Sequence, residues 1–124
     1  MRFFTSAALA AIACASAATA FAEPAHLTDV QYIAANRCLG LMSSKTLGTP
    51  DGAALSRFLD IESQGRVPVA YDEASQARDD ARRQANRSNA DSNARLIAER
   101  DGVCRQFVSA AATTAAAAHP AHAS

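Results

Sequence analysis

The chain has 124 residues, formal charges that cancel, and alanine at about a quarter of its positions. That length bounds the answer at one small domain, and the neutral balance excludes long-range attraction to nucleic acid, anionic membranes or acidic substrates. Alanine favours helix but builds a thin core, since each buried methyl contributes only about 0.8 kcal/mol.

Residues 1–22 have the three-part layout of a secretory signal peptide: Met1-Arg2, an uncharged Phe3–Ala22 with an apolar centre, and small residues at Ala20 and Ala22. Cleavage there leaves about 102 residues starting at Glu23, with 11 basic and 12 acidic side chains. Lipidation of Cys14 and retention of the leader as an anchor are the alternatives. The expected location is the periplasm or the exterior. In an oxidising compartment Cys38 and Cys104 are expected to pair. Closing so long a loop stabilises a fold by about 4 kcal/mol.

In the mature chain, Leu27-Thr28-Asp29-Val30-Gln31 opens a helix over about 28–47. Thr28 and Gln31 are spaced as a capping box, with Leu27 and Tyr32 as a hydrophobic staple. Val30, Ile33, Ala34, Cys38 and Leu41 form its apolar stripe. Gly48-Thr49-Pro50 ends it, and a second helix over 50–64 is capped by Thr49 and stopped by Gly65. Arg66–Ala70 reads as an extended connector with its valines against the core, and Val67–Tyr71 offers the one strand candidate.

A last helical segment over 72–108, capped by Asp72, is either continuous or broken near 88–92, where Asn and Ser accumulate. It lacks a large apolar residue from Asp72 to Arg95. Its inward positions are Ala74, Ala77, Ala81, Ala85, Ser88 and Ser92. Asp79–Arg83, Asp91–Arg95 and Asp101–Arg105 are spaced as i,i+4 ion pairs. Residues 109–124 read as a frayed, disordered tail.

These elements predict an all-α fold, a three- or four-helix bundle stapled by one disulfide. The domain spans 23–108, and its expected core is Val30, Ile33, Leu41, Met42, Leu55, Phe58, Leu59, Leu96, Ile97, Val103 and Phe107.

Chemistry-bearing patterns are sparse. His119 and His122 offer two metal ligands on a tail, short of a metal site. Asp72-Glu73 and Asp79-Asp80 are neighbours on a helix, so their carboxyls diverge, unlike an acid–base pair. Arg78, Arg82, Arg83 and Arg87 cluster among carboxylates with no aromatic for base stacking, and read as a solvated, salt-bridged face. Asn86-Arg87-Ser88 fits a glycosylation acceptor in a eukaryotic secretory setting. His26 is the sole histidine near the folded body, and no nucleophile elbow, phosphate loop, C-x-x-C or C-x-x-C-H occurs.

The pentapeptide 27–31 resembles the L-T-x-x-Q motif of the Spy/CpxP-type periplasmic chaperones and stress regulators, which are small, exported and helical. The match covers five residues, without that family's second copy of the motif. A capping box with a staple accounts for the same letters. The expectation is a non-enzymatic interaction module of the cell envelope with a protein partner, no cofactor, metal or nucleic acid, and no membrane span after cleavage. The expected contact surface is the stripe Ala74, Ala77, Ala81 and Ala85. The resemblance implies the alternative, a chaperone that binds unfolded clients.

Overall fold

The computed structural model describes residues 26–48 and 52–118. The expected leader, Thr49 and Pro50, and the tail histidines lie outside the described residues. Those described form α-helices with no strand: α1 (Asp29–Met42), a 3-10 turn (Lys45–Leu47), α2 (Ala53–Glu62), α3 (Pro68–Arg87), α4 (Ala90–Asp101) and α5 (Arg105–Ala118). One disulfide, Cys38–Cys104, joins α1 to the residue before α5 with a Cα separation of 5.5 Å.

The opening cap forms as the sequence implies. Thr28 Oγ1 accepts from the Gln31 amide, and Gln31 Oε1 accepts from the Thr28 amide at 2.9 Å. The helix ends at Met42, five residues short of expectation, where the Ser43 hydroxyl donates to the Leu39 carbonyl and the chain tightens into the 3-10 turn. Gly48, at φ 103°, turns it away. Gly52 rather than Thr49 stands at the α2 N-terminus, and Gly65 makes the left-handed turn after α2.

The 66–71 stretch corrects the expectation most. Val67 is extended, but Pro68 is the first helical residue of α3, so Val67–Tyr71 is no strand and Asp72 no cap. Proline's fixed φ is prearranged for the first turn, and its missing N–H is unneeded there. Val67 and Val69 face solvent instead of the core. The expected break near 88–92 is present: α3 ends at Arg87, Ser88 is extended, and Asn89 caps α4 by accepting from the Ser92 amide. A second break falls at Gly102, where a Cβ would lie 2.8 Å from the Ala98 carbonyl oxygen.

The alanine run expected to be disordered from residue 109 is helical to Ala118. Alanine has the highest helix propensity, and Phe107 and Ala111 are buried on this helix, which packs against α2.

The helices run in a definite sense. Arg66, just before α3, pairs with Asp29 at the start of α1, while Asn86 near the end of α3 accepts from Ser44 and Thr46 beyond the end of α1. Helices α1 and α3 are therefore parallel, and α2 returns antiparallel between them in sequence, bringing Glu62 back to Leu27.

The core comprises Leu39, Leu41, Met42, Leu47, Leu55, Phe58, Leu59, Leu96 and Phe107, with Tyr32, both cysteines and several alanines. Ile33 and Ile97 are half-buried and pack against it. Val30 and Val103 are exposed, contrary to expectation. Val30 and Leu41, eleven residues apart, point almost the same way around α1. The C-terminal half of that face is covered through Cys38–Cys104 and Arg37–Glu99; Val30 lies beyond that cover. Val103 sits in the α4–α5 turn.

Candidate functional site

The alanine stripe of α3 lies inside the fold. Ala74, Ala81 and Ala85 are buried against α1, and Ala77 is half-buried. The helix that the small side chains admit is this chain's own α1, so the stripe is not an accessible contact surface. The approach is closest at Gly40, where a Cβ would overlap the Arg78 carbonyl oxygen and lie 2.9 Å from Ala81 Cβ. A mid-helix glycine, Gly40, is the sequence signal for this contact.

A polar cluster joins the start of α1 to the end of α2. Glu62 and Arg66 have side chains 6 % and 9 % exposed. Glu62 Oε2 accepts from the Leu27 amide at 2.9 Å and from Arg66 at 3.2 Å, while Oε1 lies 3.1 Å from His26 Nδ1. Arg66 also donates to the carbonyls of Glu62 and Leu27 and to Asp29, and its guanidinium sits 4.4 Å from the Tyr32 ring centroid. Such a buried pair is well satisfied, and removing the Glu62 charge leaves Arg66 with Asp29 as its one carboxylate partner among the described residues. Substituting Glu62→Gln should keep the shape but lower stability by about 1.5–2 kcal/mol, the scale of a hydrogen bond to a charged group. A urea midpoint unchanged from the parent protein would contradict that.

Glu62 Oε1 and His26 Nδ1 form a carboxylate–imidazole pair, while Oε2 is held by the Leu27 amide and Arg66. Both Glu62 oxygens have partners, and His26 is largely exposed. Thr113 and Thr114, on the wall of the adjoining cavity, donate to the carbonyls of Ser109 and Ala110 in their own helix. Both hydroxyls thus bond to backbone carbonyls and not to the imidazole. The geometry describes a clasp.

A second link, Arg37 with Glu99, ties α1 to α4 at 2.6 Å and 3.0 Å, and Arg37 also donates to Gln84. The Glu99 hydrogen bond and charge raise the Arg37 pKa against the opposing effect of burial. On the surface, the expected i,i+4 pairs do not form. Arg83 pairs with Asp80 and Arg82 with Asp79, both at i,i+3, and Arg100 pairs with Asp101, lowering that carboxyl's pKa chiefly through the hydrogen bond. Asp72 and Glu73 are exposed. Among the described residues, no three His, Cys, Asp or Glu side chains gather as a metal site.

Six large apolar side chains are more than half exposed: Val30, Ile61, Val67, Val69, Tyr71 and Val103. Five of them lie at the end of the bundle where α1 and α3 begin and α2 finishes. No known protein family, curated protein or solved structure matches the chain.

Proposed function

We propose that this is an exported, non-enzymatic interaction module that holds a protein partner by the apolar end of its helical bundle. The observation that carries this reading is that Val30, Ile61, Val67, Val69 and Tyr71, each more than half exposed, all belong to the helix ends that meet there. Exposed apolar side chains cost little singly, but a concentration of them marks a contact surface. Export is supported by the leader-like residues 1–22 and by the disulfide, a bond that persists in oxidising compartments. No helix of the described residues is long and apolar enough to cross a membrane.

The test places a photo-crosslinking residue at Tyr71, and separately at exposed Ala112 on α5, in the native envelope. A discrete adduct from position 71, lost when Val69→Glu is added, is expected. Equal labelling from both positions, or none from position 71, would refute the reading. The chaperone alternative draws on the same exposed side chains. It requires the purified protein to suppress aggregation of an unfolded client at equal amounts, and V69E to abolish the effect.

A further inference from the structure

A cleft of about 630 Å³ opens where α3 ends and α4 begins, away from the apolar end and independent of the reading above. Arg83, Arg87 and Arg95 line it against one carboxylate, Asp80. Asp80 is engaged by Arg83. The sequence spacing assigned Asp91 to Arg95, but that pair does not form, and neither Arg87 nor Arg95 has a carboxylate or hydrogen-bond partner among the described residues. Two unneutralised guanidinium groups thus share one concavity with a third.

The helix ends do not cancel this charge. The carbonyl end of α3 and the amide end of α4 meet here, so their opposed dipoles offset and the side chains set the field. Neutral donors lie beside them. Arg37 donates to Gln84 Oε1, which turns the carboxamide so that its NH2 remains to donate, and the Ser92 side chain also lines the cleft. Planar guanidinium forks match tetrahedral oxyanions in a bidentate way that a lysine does not.

We propose that this cleft binds a phosphate group, free or as a lipid headgroup, with Arg87 and Arg95 as its principal ligands and Arg83 completing the charge. The probes are inorganic pyrophosphate and vesicles containing phosphatidylglycerol, each titrated into the oxidised protein at low salt. Pyrophosphate should shift the amide resonances of residues around 83–96, and Arg87→Gln with Arg95→Gln should weaken binding about tenfold or more. Arg57→Gln, on α2, should not. Both cleft substitutions are at exposed side chains, and an unchanged melting curve would show that the fold survives them. Binding of pyrophosphate alone assigns a free phosphate ligand; binding of vesicles with the same sensitivity to substitution assigns the headgroup. No binding of either probe, shifts located elsewhere, or equal affinity in the double variant would overturn the proposal.

Discussion

Substituting Gly40→Ala should destabilise this protein by about 3 kcal/mol, although the same change in an exposed helix interior stabilises by about 1 kcal/mol. The reversal follows from the α1–α3 seam. The added methyl meets the Arg78 carbonyl oxygen, which is backbone and cannot rotate aside, and then Ala81 Cβ at 2.9 Å. Relief requires the helices to separate, which uncovers Ala74, Ala81 and Ala85 along the whole contact. For a domain of this size the melting temperature should fall by about 15 °C. The double variant Gly40→Ala/Ala81→Gly distinguishes the obstacles. It removes the side-chain contact and leaves the carbonyl, so it should recover little of the loss. Full recovery, or a single variant that melts like the parent, would show that the helices do not approach as closely as described.

Opening the Cys38–Cys104 bond should cost about 4 kcal/mol, because the bond spans 66 residues of the unfolded chain. The loss should appear as a lower urea midpoint for Cys38→Ser/Cys104→Ser and, equally, for the parent protein under reductant. Both sulfur-bearing side chains are buried, so access for the reductant requires opening of the fold. The region beyond Gly102 should suffer first. Helix α5 contributes Phe107 and Ala111 as its fully buried side chains, and much of the rest of it is exposed alanine and threonine. Amide exchange in α5 should therefore accelerate more than in α1 or α3 after reduction. Identical midpoints with and without the bond, together with two titratable thiols in the oxidised preparation, would contradict the staple.

Much of the architecture was legible because it is written in local chemistry. The capping box of Thr28 and Gln31 fixes the start of α1. The Asn- and Ser-rich break after Arg87 follows from side chains that compete with the helix backbone, and Gly65 takes the positive φ after α2. The cysteine pair followed from counting. Structure departs from the local pattern where two valid local signals disagree. Pro68 stiffens Val67 into extended backbone and also starts a helix, and the extended stretch stops at Val67. The terminal alanines lack core-building bulk yet favour helix, and packing against α2 decides for helix.

The candidate surfaces were harder to read, since exposure is a property of neighbours. The alanine stripe is legible as a face that invites close packing, but nothing in the residue order says whether its occupant is another molecule or this chain. Only the parallel course of α1 and α3 supplies that occupant from within and places Val30, Val67, Val69 and Tyr71 together at one end. The same holds for charge: i,i+4 spacing permitted Asp91 to neutralise Arg95, while the folded chain leaves Arg95 beside Arg83 and Arg87 across a helix break. By itself, the order of residues determined that this chain is helical, that a capping box opens α1 and a break follows Arg87, and that Cys38 and Cys104 would pair. The tertiary structure decided which faces are covered, because burial and charge pairing depend on residues brought together from distant parts of the chain.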